Sequence, residues 1–236
     1  MRVADRGSRN VRAGLVGAFP FRVPRSAFVL VALLPGLSRA QDPWPVLDRA
    51  SDAYVTLSTL SADFVQVIVN PLVGAPDTTR GRLFLQPPAR FAMRFTAPTG
   101  DRVVADGRHL WLYTPSTNPG QVIRTRVPAT GATGPNLIGQ FVDRPRERYQ
   151  ARYLRADSLA SGWTDAVVLV PKDTDAPYRE AVIWVDRADG YLRRLEMVEQ
   201  TGQRRVVTLS RLRVNQGVPA REFVFSPSAG TRIVDQ

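Results

Sequence analysis

The residues able to do chemistry are few, and their spacing assembles no familiar reaction centre. His109 is the only histidine in 236 residues, so a Ser-His-Asp triad would have to be built on it. It stands two residues after Gly107 at the head of an apolar run, which suits a surface strand position. A zinc site needs histidine or cysteine partners, and the chain has no cysteine at all. Asp173 and Asp175 are close enough for a calcium loop. They lie in a polar, proline-flanked turn, where solvation is the ordinary role of such acids. Gly131 and Gly134 neither follow a strand nor open a G-K-[ST] helix, so they form no phosphate cradle. No catalytic residue, metal ligand or cofactor site is assigned, and the chain reads as a non-enzyme.

What remains is large apolar side chains at regular spacing. In Gly81–Phe95 (GRLFLQPPARFAMRF), Phe91, Met93 and Phe95 point one way and Ala92 and Arg94 the other. That is the period-2 pattern of a strand with one apolar and one wet face. Pro87-Pro88 interrupts the ladder, since proline has no N–H to give it. Phe64, Leu83, Phe84, Leu85, Trp111, Tyr113, Trp184 and Met197 add large side chains on other strands. For each of them, filling a core and lining a cavity are both open.

These residues need elements to position them. Val46 to Leu60 carries apolar residues at three- and four-residue steps, which predicts one amphipathic helix. Runs of alternating residues then recur to the end of the chain, separated by turn dipeptides such as Asp106-Gly107 and Asp189-Gly190. They predict an antiparallel sheet of about ten strands. A short helical insert over 136–142 is the one break. A sheet of that size curls or splits, so the expected fold is mainly β with few α elements, a strongly curved and partly open barrel. One helix and one insert are little material to cover a whole face, and leftover apolar area is where ligands bind.

The N-terminus reads differently. Six arginines precede the apolar run Ala27–Leu34, and Ser38-Arg39-Ala40 follows Pro35-Gly36. This is the order of a secretory signal peptide, and the apolar run is shorter than the ~20 residues of a membrane-spanning helix. Cleavage after Ala40 is expected, leaving 41–236 as a single exported domain. Seven of the 32 basic residues and one of the 21 acids lie in 1–40, so the net charge falls from +11 to +5. The remaining arginines interleave with acids along strands instead of forming the basic stripe of a nucleic-acid binder. Without disulfides, a hydrophobic core must supply the stability.

Four segments in order resemble the outer-membrane lipoprotein carrier family, LolA: Leu57–Gln66 (LSTLSADFVQ), Gly81–Phe91 (GRLFLQPPARF), Asp106–Tyr113 (DGRHLWLY) and Phe223–Pro227 (FVFSP). The resemblance runs over most of 46–235 and is weakest in 114–180. It implies an incomplete antiparallel barrel of about eleven strands, covered by an N-terminal helix and a helical lid. It also implies a periplasmic carrier without cofactor, expected as a monomer. Such a carrier takes acylated lipoproteins from an inner-membrane ATP-binding-cassette release complex to an outer-membrane acceptor. By position it implies Leu60, Phe64, Phe91 and Met93 for the cavity and Leu137 and Ile138 for the lid. The apolar strand pattern adds Leu83, Leu85, Phe95, Trp111 and Tyr113 to the cavity expectation, and the 136–142 insert adds Phe141 to the lid. Where the family has an arginine that bonds the lid backbone, this chain has Pro87; either Arg82 or Arg90 substitutes for it, or the lid is held differently. A lipid- or lipoprotein-sensing regulator of envelope stress, or a carrier of free phospholipid or glycolipid, are the alternative functions.

Overall fold

The computed structural model describes residues 41–126 and 138–236. The expected signal peptide and Leu137 lie outside them. Helix α1 (Trp44–Val55) is followed by six strands: β1 (Leu60–Val69), β2 (Pro76–Gln86), β3 (Arg90–Ala97), β4 (Thr99–Asp106), β5 (His109–Tyr113) and β6 (Gln121–Arg126). A 3-10 turn (Gly139–Phe141) and a one-turn helix α2 (Pro145–Arg148) lead into β7 (Tyr149–Leu159), β8 (Gly162–Pro171), β9 (Tyr178–Asp186), β10 (Leu192–Glu199) and β11 (Arg204–Val214), and β12 (Arg232–Asp235) ends the chain.

The strands join in one twelve-stranded sheet in the order β12-β6-β5-β4-β3-β2-β1-β11-β10-β9-β8-β7. Neighbours are antiparallel except at one edge. There β12 runs parallel to β6, with Ile233 opposite Val122. The two edge strands, β7 and β12, do not pair, so the barrel is incomplete. One apolar cluster holds Phe91 of β3 and Val167 of β8 together. Strands that far apart in the sheet can share a core only if the sheet curves around it.

The expected helix is too long. It ends at Val55, because Thr56 turns its hydroxyl back to the Ala53 carbonyl at 3.2 Å. The Asn215 side-chain oxygen then accepts from the Ser58 N–H at 2.8 Å and the Thr59 N–H at 3.3 Å. Leu57 and Leu60 stay buried, so their spacing recorded a shared interior and not a continued helix. The hairpin at Asp106-Gly107 is as expected. Gly107 has φ +98°, and one Asp106 oxygen accepts from the N–H groups of Arg108 and His109, both at 2.8 Å.

The outer face of β2–β6 has its own apolar cluster. Phe84, Ala92, Val104, Trp111 and Val122 meet Phe223 there, with Tyr113, Val218 and Phe225 at the margin. The segment between β11 and β12 thus straps the convex side, and Arg94 holds it through an ion pair with Glu222 and a 3.0 Å bond to the Arg221 carbonyl. Phe223→Ala is expected to cost about 3 kcal/mol, the transfer loss plus the cavity left behind. Urea unfolding measures it, and the concave core should stay intact because the strap lies on the opposite face of the sheet.

Candidate functional site

The concave face is built in cross-strand rows, since directly opposed residues in an antiparallel pair share a face. Leu60 faces Leu85, which faces Phe91, which faces Ala105. The next row is Ala62, Leu83, Met93 and Val103. In the third row Gly81 lies between Phe64 and Phe95, and the missing side chain lets the two rings meet edge to face at 5.2 Å. On the other half of the sheet, Val207, Leu195, Ile183 and Val167 form the matching row. Nearly all of these side chains are buried.

The cover comes from α1, through Val46, Leu47 and Ala50, and from Ile138, Phe141 and Val142. Phe141 is 0% exposed and lies against the rings of Tyr149 and Tyr178. The Tyr149 hydroxyl donates to the Gln140 carbonyl at 3.2 Å, so Tyr178 is the donor in the 2.8 Å bond between the two phenols. Burial pushes both phenols above their ordinary pKa, so the pair is uncharged. Ser51 of α1 donates to the Val142 carbonyl at 2.6 Å, and Arg146 pairs with Asp48 at 2.6 Å. Helix α1 and the segment 142–146 are therefore tied to each other as well as to the sheet.

Between cover and floor lies an apolar cavity of ≈ 20 Å³, lined by Leu83, Met93, Ile138, Leu195, Met197 and Val207 among others. That is room for little more than one water molecule. The apolar face is closed on itself, and any chain-like guest would have to displace the cover.

Of the sequence-derived residues, Leu60, Phe64, Leu83, Leu85, Phe91 and Met93 come together in this cluster, with Phe95 packed against it and Ile138 and Phe141 above. Trp111 and Tyr113 do not, which corrects their assignment to the cavity. Both belong to the convex cluster under the strap, and Trp111 donates its indole N–H to Asp106 at 2.8 Å. The reason is parity. The hairpin sets Ala105 opposite Leu110 and Val103 opposite Leu112, so it is Leu110 that packs on the concave core. Among the described residues, both arginines named as possible latch replacements engage the sheet itself. Arg82 lies over the Phe84 ring, 5.2 Å from its centre, and exposed Arg90 bonds Gln86 at 3.5 Å. His109 is half-buried beside Trp111. Asp173 accepts from the Asp175 N–H at 3.0 Å in an exposed turn. Among the described residues no three acids or histidines converge as a metal site.

An unclosed antiparallel sheet, apolar inside its curve and capped there by a helix and a helical segment, defines the class of helix-covered incomplete barrels. Within that class the sequence is decisive. Residues 55–226 match the family model described as "Outer membrane lipoprotein carrier protein LolA", and the chain belongs to that family. It is 30% identical over 187 residues to an outer-membrane lipoprotein carrier protein of Albidiferax ferrireducens, covering 77% of this chain and 86% of the relative. A protein of the same name from Dechloromonas aromatica is 25% identical over 205 residues, covering 87% and 93%. Among solved structures, an uncharacterized conserved protein from Thermus thermophilus superposes with a TM-score of 0.52 at 13% identity, over 83% of this chain and all of the other. At that identity the likeness is one of fold.

Proposed function

We propose that the protein is a periplasmic carrier that shelters the acyl chains of lipoproteins against its concave face and moves them from the inner to the outer membrane. The observation that carries this reading is the continuous apolar trough from Leu60 to Phe95, covered, among the described residues, by one helix and the short segment from Ile138 to Val142. Each methylene of an acyl chain taken from water contributes ~0.8 kcal/mol. A ~16-carbon chain therefore gains on the order of 10 kcal/mol in such a trough, enough to keep it out of water during transit. The closed cover supports reversible holding, because displaced lid contacts set part of that gain back and favour release. In this reading an inner-membrane release complex loads the carrier and an outer-membrane acceptor unloads it.

Native mass spectrometry of the protein from a periplasmic extract tests this reading. Mass additions that fragment to triacylated lipoprotein are expected. Additions of free phospholipid or glycolipid alone would overturn it in favour of a lipid carrier, and a ligand-free protein bound to a transmembrane regulator in favour of a sensor.

A further inference from the structure

The concave face is not apolar to its end. Beyond Phe64 and Phe95 the next row is Gln66 and Thr79, 5% and 7% exposed, and the Gln66 amide donates to the Thr79 hydroxyl at 3.2 Å. On the adjoining strands Arg205 lies opposite Met197 and reaches the wall of the apolar cavity. One of its terminal nitrogens donates to the Gln66 oxygen at 3.2 Å and the other to Glu199 at 3.1 Å. Glu199 also accepts from Gln203 at 3.1 Å. Polar side chains buried beside an apolar trough cost stability relative to apolar ones of the same size. A cavity meant only for hydrocarbon has no use for them.

A guanidinium has five N–H donors, and among the described residues Arg205 engages two of them. Gln66 and Glu199 fix the plane of the fork, while the side chain keeps 29% exposure at the cavity wall. Glu199 also neutralises its charge. A fork held this way has free donors but little net attraction for an anion. It therefore matches neutral carbonyl oxygens better than a phosphate or a carboxylate.

On the carrier reading above, we propose that Arg205 is a specificity-determining residue that receives the ester and amide carbonyls where the acyl chains join the lipoprotein's modified N-terminus. The chains lie along Leu83, Met93 and Val207, and the polar head sits at the Gln66–Arg205 end of the trough. Arg205 thereby sets the depth and direction of the guest and distinguishes an acylated head from bare hydrocarbon.

The test compares two probes by fluorescence titration, a labelled triacylated lipopeptide below its micelle concentration and the head-less hydrocarbon diphenylhexatriene. Arg205→Met, with thermal melting checked, is expected to weaken lipopeptide binding about tenfold and to leave diphenylhexatriene binding as in the wild type. Arg205→Lys keeps the charge without the planar fork and should fall between. If the methionine variant does not fold, a selective loss of lipopeptide binding in the lysine variant supports the proposal equally, and no loss there overturns it. Unchanged lipopeptide binding in a folded methionine variant also overturns the proposal. So does an equal loss of both probes, which would make Arg205 only a structural support. A wild-type protein that takes diphenylhexatriene but no lipopeptide would instead sink the carrier reading itself, and this proposal with it.

Discussion

Asp165→Asn is expected to lower stability by about 2 kcal/mol at neutral pH, as depriving donors of a buried charged acceptor does, and to loosen the helix that covers the site. Asp165 is 4% exposed on β8. One of its oxygens accepts from Arg187 at 2.6 and 3.0 Å and from the Tyr153 hydroxyl at 3.0 Å. The other accepts from Arg49 of α1 at 2.9 Å. A 12-residue helix is marginal by itself, so tertiary ties such as this one decide where it lies. An asparagine keeps the shape but turns N–H groups toward donors and leaves the Arg49 charge half-buried. Burial alone would push the Asp165 carboxyl up, but the bonds from Arg187, Arg49 and Tyr153 outweigh it and hold the pKa below the ordinary aspartate value. A depressed folded-state pKa contributes stability that is full above the unfolded value of ~3.9 and is lost as pH falls through the folded one. The gap between wild type and variant should therefore be constant from neutral pH to about 5 and shrink below about 4. Urea melts at a series of pH values measure it, and a gap that stays constant into acid would refute the role of the charge.

Strand positions were legible in the sequence because alternation is imposed by the sheet itself. The runs around Phe64, Phe91 and Trp184 all became strands. The faces were less legible. Periodicity gives two faces to each strand but does not say which face of one strand continues which face of the next. That information lies in register, and for β5 it was present in the Asp106-Gly107 turn. A two-residue hairpin loop starting from Phe91 opposite Ala105 leads to Leu110, not Trp111. Aromatic size was the wrong guide, because a convex face strapped by Phe223 and Phe225 also demands large side chains. The polar end of the trough was hidden for a different reason. Gln66 and Arg205 are 139 residues apart, and in Arg204-Arg205-Val206-Val207 nothing tells which arginine faces water and which a cavity.

Gly81→Ala is expected to be the most damaging glycine-to-alanine change among the described residues, costing about 3 kcal/mol and most of the lipopeptide binding. Gly81 stands at a register shift between β2 and β3. A Cβ there would overlap the Arg94 carbonyl oxygen and lie 2.9 Å from an edge carbon of the Phe64 ring. The first obstacle is backbone in a paired strand, so no rotamer change relieves it. Either β3 separates from β2 or the bulge moves, and both displace Phe95 and then Met93 from the floor of the trough. The strap adds to the constraint, since the same Arg94 is bonded to Glu222 and the Arg221 carbonyl on the other face. β3 is held from both sides and cannot drift outward freely. The effect on binding should therefore exceed the effect on global stability. Thermal melting read beside lipopeptide titration separates the two. An alanine variant with wild-type affinity would show that the Phe64–Phe95 row is not part of the surface the guest occupies.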